Sequence, residues 1–280
     1  MYTSACSGGL MTLSGATVSG AGSTIASGLG ITALLSNIYP DAESPLTVAG
    51  LSFYGNTTSL AAARTLPPAT VFDYYTASGT TIAYSAIPSG SGGVILKNIL
   101  LSPSSNPYGA TDPNGIYIIN CSNQNITIDT CRIVGTLVLL NTGSSSAIQN
   151  SVTWEPALAN YPCLLVKGNL TLKTANATLN ESGNTGNLNP PTTPYPYPNG
   201  DSNLNNKDTF PSLIDGLIYV SGNLTTSSNP CLDNLLVGGS LTSSGSLSLT
   251  PKSLYQTNPP PGFRTLTITV LPGTWKQLVN

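Results

Sequence analysis

The chain has 280 residues, 40% of them hydrophobic but only 7% charged, and a net charge of −2; an ordinary soluble protein carries about 25% charged residues. Its nine Lys and Arg are scattered singly from Arg64 to Lys276, which excludes a phosphate-neutralising run and with it a nucleic-acid partner. Histidine is absent, so the commonest general base and a common metal ligand are missing, and neither a cofactor nor a metal site is implied.

Thr12 to Leu29 places single apolar residues among Ser, Gly and Thr, which predicts short strands and tight turns. ITALLSNIY, ending before Pro40, reads as either a strand or a short helix. Residues 40 to 60, with Pro40, Asp41, Pro45 and Gly55-Asn56, are expected to be irregular. Residues 1–64 thus form an N-terminal β-rich segment. Thr65 as N-cap, Pro67 and Pro68 in a first turn, Val71, Phe72 and Tyr75 on one face and Gly79 as a stop predict one helix near 67–77. Phe72 and Tyr75 are expected in the core.

The domain from 65 to 280 is read as a right-handed parallel β-helix with one short α-helix and a long corner insertion, all-β otherwise. GVILKN from Gly93, GIYIIN from Gly115 and GTLVLLN from Gly135 read as successive strands. Each ends in an asparagine, Asn98, Asn120 and Asn141, which predicts a ladder of amides stacked coil on coil. Trp154 is expected to fill a gap in the core.

The clearest repeat is LLVKGNLT from Leu164, IYVSGNLT from Ile218 and LLVGGSLT from Leu235. Val220 and Val237 stand 17 residues apart, enough for one turn of a β-solenoid and too few for two helices or a propeller blade. The columns Leu164/Ile218/Leu235, Val166/Val220/Val237 and Leu170/Leu224/Leu241 are expected to stack, with the valines pointing inward. The Asn- and Pro-rich stretch 183–211, with its polyproline-like TPYPYPNG, is the corner insertion. TLTITVLPGTW from Thr265 reads as a last strand. Residues 258–280 are expected to cap one end of the stack and the helix near Val71 the other.

Five cysteines, Cys6, Cys121, Cys131, Cys163 and Cys231, cannot all pair within one chain, and none forms a C-x-x-C unit. Buried free thiols are the first expectation, a disulfide the alternative. Seven N-x-S/T triplets are discounted as glycosylation sites because several fall where buried ladder positions are expected. The eleven carboxylates form no catalytic cluster, and no catalytic residue is assigned. Asp215 and Asp233, 18 residues apart, are nearly one coil apart and are the candidate ligand-binding or acid–base pair. Lys252 and Arg264 lack a motif that would recruit them.

At the level of fold, this periodicity resembles pectin-lyase-like proteins and the short-coiled bactofilins. A closer resemblance is to bacterial exported proteins of a pilus-assembly or prepilin-like kind, carried by VFDYYTASGTTI (71–82), GIYIINCSNQNITIDTCRIVGTLVLLN (115–141), GLIYVSGNLT (216–225) and NPPPGFR (258–264). It implies an extracellular or cell-surface location and no catalytic residues. No apolar run reaches the about 20 residues of a membrane helix, and the N-terminus lacks the basic and apolar regions of a signal peptide. The low-charge composition fits export, so a trimmed chain is expected. The resulting expectation is a non-enzymatic structural or adhesive protein that associates with itself or a surface partner, against a carbohydrate-binding or polysaccharide-degrading alternative.

Overall fold

The computed structural model describes residues 4–20, 22–183, 186–189 and 206–264. The protein is all-β, and nearly every pairing is parallel. Strands stack along one axis on three faces, as short β-prone runs broken at regular intervals by Gly or Asn require. Face 1 runs from Thr80–Thr81 through Ile116–Asn120, Thr136–Leu140, Leu164–Lys167, Leu213–Val220 and Cys231–Val237. Face 2 runs from Gly93–Lys97 through Asn125–Val134, Ala147–Glu155, Leu170–Thr174, Leu224–Ser228 and Leu241–Leu249. The longer strands bend at a corner and continue on face 3, beside Leu100–Leu101. Pairing therefore closes on itself: Ala147–Glu155, Leu170–Thr174, Leu224–Ser228, Leu241–Leu249, Cys231–Val237 and Leu213–Val220 form a circuit of six strands.

The stack then continues with the beginning of the chain. Ala5–Ser7 pairs in parallel with Cys231–Val237, Met11–Ser14 with Leu241–Leu249, and Thr17–Ser19 with the end of that same strand. Thr24–Ser27, Ile31–Leu34 and Asn37–Ile38 stack on those three. Asp41–Ser44, Val48–Gly50 and Thr57–Ser59 come last. The chain thus starts in the middle of the stack, winds out to one end, crosses back outside it, and winds from the other end to the middle. At the seam, Gly8 and Gly9 donate to the carbonyls of Val237 and Gly239 at 2.8 Å, and Leu241 donates to Leu10 at 2.9 Å.

The expected columns hold. Val166, Val220 and Val237 pair in register, are fully buried and belong to the interior cluster. Beyond the seam the same column becomes Ser7 and Ser27. The Ser27 hydroxyl stays satisfied inside by donating to Gly9 and Gly30 carbonyls at 2.7 and 2.9 Å. Trp154 is buried as expected and donates to the Gly135 carbonyl at 3.0 Å. All five cysteines are free, four of them buried.

Several expectations are corrected. Residues 40 to 60 are not irregular but supply three strands, and ITALLSNIY is strand rather than helix. Gly93–Lys97 does not stack on Ile116–Asn120; it pairs with Asn125–Lys-facing positions up to Lys97↔Asp129, on a different face. Asn98 therefore turns a different corner from Asn120 and Asn141, and the ladder reduces to one rung, Asn141 to Asn120 at 3.2 Å. A better amide series lies in the repeated block. Asn169 accepts from the Asn223 backbone at 2.8 Å, and Asn223 from Ser240 at 2.9 Å. The N-x-S/T asparagines are not buried: Asn56, Asn120, Asn169, Asn176, Asn180 and Asn223 are exposed.

The helix α1, Val71–Thr76, buries Val71, Phe72 and Tyr75 as expected, but it caps no end. It lies on the outside of face 1, in a second apolar cluster with Ile116, Val138, Leu165 and Tyr219. The helical turn α2, Leu254–Thr257, and Phe263 join the same layer, where Phe263 meets Tyr219 edge-on at 6.1 Å. Described residues up to 264 thus cover a side of the stack, and the expected strand and cap beyond Thr265 lie outside the described residues. The PYPYP centre of the insertion does too. Its base is closed by an antiparallel pair, Leu179–Asn180 with Thr209–Phe210.

Candidate functional site

The corner between faces 3 and 1 brings the two candidate carboxylates together. Leu213–Val220 pairs with Cys231–Val237 through a register shift, Ile214 facing Leu232 and Leu217 facing Asn234. Asp215 and Gly216 therefore stand opposite the single residue Asp233, a bulge that turns both acids to the same side. Lys252 completes the group from the next coil. Its backbone N–H donates to Asn234 Oδ1 at 3.0 Å. Its Nζ contacts Asp215 Oδ1 and lies 3.4 Å from Asp233 Oδ2. The pocket beside them, about 350 Å³, is lined by Leu213, Ile214, Asp215, Cys231, Asp233, Ser248 and Thr250.

The two acids have unlike environments. Asp233 is 4% exposed, takes a hydrogen bond from the Thr250 hydroxyl at 3.0 Å, and leaves Oδ2 without a hydrogen-bond partner. Burial, the hydrogen bond with Asp215 and its charge push the Asp233 carboxyl up to about 7. Burial also opposes ionisation of Asp215, but the hydrogen bond with Asp233 and the Lys252 ammonium outweigh it and hold Asp215 below its ordinary value. Lys252 is raised: burial works against its charge, and the two carboxyls more than offset it. The buried Cys163 thiol is pushed well up by desolvation and by the same two acids. An amine raised in this way is a poor general base. Two carboxyls in hydrogen-bond contact are also closer than the about 5–5.5 Å of a retaining glycosidase or the about 6.5–9.5 Å of an inverting one.

No family model, curated protein or solved structure matches this chain. The reading of the site rests on its own geometry.

Asp215 and Asp233 meet as their spacing suggested, and Lys252, set aside in the sequence, is the residue that joins them. The signal for it was there: Lys252 follows Asp233 by 19 residues, nearly the same step as from Asp215 to Asp233. Arg264 does not join the group. Among the described residues no three Cys, Asp or Glu are placed to hold a metal ion.

A second buried charge passed unnoticed in the sequence. Arg132 is 1% exposed and donates to the Leu188 carbonyl and Asn189 Oδ1, both at 3.0 Å. Its guanidinium lies 4.6 Å from the centre of the Phe210 ring. Glu181, fully buried, accepts from the backbone of Leu188 and Asp208 at 2.6 and 3.0 Å. These contacts fasten the insertion to the stack. They are structural, since every one ends on the insertion's own base.

A further pocket of about 360 Å³ adjoins the first along face 3, sharing Cys231 and Ser248 with it. Thr17, Ser19, Asn176, Asn229 and Ser246 line it with hydroxyls and amides and no charge.

Proposed function

We propose that the chain is a right-handed parallel β-helix that serves as a non-enzymatic structural or adhesive element outside the cell or on its surface, in a pilus-like or related assembly. The observation that carries this reading is the inequality of the two ends. One end is closed by the chain itself: Ile82 and Ile87 enter the core, Tyr84 and Tyr108 pack against it, and Ser89–Gly90 pairs antiparallel with the first strand of face 2. At the other end Val48–Gly50 and Thr57–Ser59 pair on one side only among the described residues. Leu46, Leu51, Tyr54 and Leu60 are exposed there, Leu51 and Leu60 almost completely.

Unpaired strand edges with apolar side chains are places where another chain adds on, and with so few charges nothing repels a second copy. The acids at the corner support a structural role as well, because they are locked to a lysine instead of facing an open cleft. Light scattering behind size exclusion should show concentration-dependent association of the whole protein. Leu51→Lys with Leu60→Lys should shift it to monomer. A protein that stays monomeric at every concentration, and whose soluble-polysaccharide turnover is abolished by Asp215→Ala, would reverse the reading. The uncharged, hydroxyl-rich pocket on face 3 favours polysaccharide binding as the second reading; retention on an immobilised polysaccharide, lost in Asn229→Ala, is its test.

A further inference from the structure

Asp215, Asp233 and Lys252 come from three successive passes of the chain, and each is fixed by its own coil before any of them meet. Lys252 follows Pro251, which stiffens the approach, and Asn234 holds its backbone. The amine rests on the Asp215 carboxyl and is within 3.5 Å of the Asp215 carbonyl oxygen. Asp233 closes the group from within, nearly fully buried, with one oxygen bound to Thr250 and the other facing the lysine without a hydrogen-bond partner. Amine, carboxyl and a proton-bearing acid are thus held together on a rigid sheet corner, floored by Leu213 and Ile214.

We propose that Lys252 and Asp215 condense within the folded protein to an isopeptide bond, with Asp233 carrying the proton. The Lys252 ammonium first passes a proton to the Asp215 carboxylate, leaving a neutral amine and a neutral acid. The Nζ lone pair then attacks Asp215 Cγ. Asp233 gives its proton to the departing hydroxyl while its other oxygen takes one from the nitrogen; the C–O bond breaks, and water leaves. One ammonium and one carboxylate become one amide and one water, nothing is oxidised or reduced, no co-reactant is needed, and Asp233 ends protonated as it began. The retention of a proton by Asp233 up to about pH 7 fits this role.

In solution an amine and a carboxylate form a salt, but groups held in contact react at effective molarities of about 10⁵–10⁸ M. Asp215 and Lys252 side chains are each 39% exposed, which gives the water a way out. The bond would join two coils across a third, where the chain leaves the stack and the seam with residues 5–19 begins. This inference does not depend on the surface role proposed above.

Intact-mass spectrometry of the full chain decides it. The expected mass is one water below that of the sequence. Trypsin cuts after Lys207, Lys252 and Arg264, with no Lys or Arg between the first two. An amide at Lys252 blocks the middle cut, so residues 208–264 should appear as one fragment lighter by one water. Lys252→Arg should restore the full mass and the cut at 252, and Asp233→Asn should leave the bond unformed in a folded protein. A wild-type chain of full mass that is cut after Lys252 overturns the proposal whatever the variants do. A water lost with Lys252 still cleavable marks a succinimide at Asp215–Gly216, and overturns it too. Crosslinking in Asp233→Asn equal to wild type removes Asp233 from the reaction.

Discussion

Asp233 and Asp215 respond to pH in opposite senses although they share one corner. Asp233 has a folded pKa of about 7 against an ordinary 3.8. Its contribution to stability is therefore complete below about pH 4 and is lost as the pH climbs through 7. Asp215 is depressed, so its contribution is present above its ordinary value and disappears as the pH falls. Lys252→Arg keeps a cation at the corner while removing the amine, and isolates the titration. Urea denaturation of Lys252→Arg and of Lys252→Arg/Asp233→Asn between pH 5 and 8 should show the second gaining on the first as pH rises. Parallel curves would mean that Asp233 ionises normally in the folded chain. The residues of this corner were partly legible: two acids and a lysine at steps of 18 and 19 can be counted along the chain. Their unequal pKa values were not, because they come from a bulge that turns one acid inward, and nothing in the residue types marks it.

At the scale of elements, what could be read was whatever repeats with the same side chain. Leu170, Leu224 and Leu241 are identical in type and pair in register. The column runs on through Met11, Ile31 and Val48, where the side chain changes at each step and the likeness fades. Pro40 and Pro45 hid the strand between them, since a proline beside a short run looks like loop when the run is in fact an end strand. GVILKN and GIYIIN look alike but occupy different faces, because sequence likeness reports burial and not which side of a three-faced stack is being built. The glycines at the seam carry a sharper constraint. A Cβ on Gly8 would collide with the Gly238 carbonyl oxygen, and one on Gly28 with that of Gly8. Gly8→Ala should cost about 1–3 kcal/mol, the range for overpacking a tight site, and should loosen residues 4–19 first. Hydrogen exchange that quickens at Gly8, Gly9 and Leu241 before the Leu164–Lys167 strand would agree with this; uniform quickening would not.

For the whole molecule, spatial order and chain order differ by one cut and one join. Residues 60–79 leave the last coil, where Arg64 pairs with Glu43, pass Leu66 over Gly8 and deliver α1 to the outside of face 1. A permuted chain that begins at residue 79, runs to 264, and is joined by a flexible linker to residues 4–64 should fold to the same stack. Its circular dichroism should match that of the parent, with a Tm within about 4–8 °C, the shift that about 1 kcal/mol produces in a small domain. A permutant that fails to fold would show that residues 60–79 guide the winding as well as connecting its ends. The seam also sets a schedule for synthesis. Residues 5–19 leave the ribosome first, yet the strands they dock on, Cys231–Val237 and Leu241–Leu249, are made near the end. For most of translation the nascent chain carries a finished pairing edge with no partner, so a companion that shields that edge, or a passage that keeps the chain unwound until its last coil is made, becomes a condition of its biogenesis.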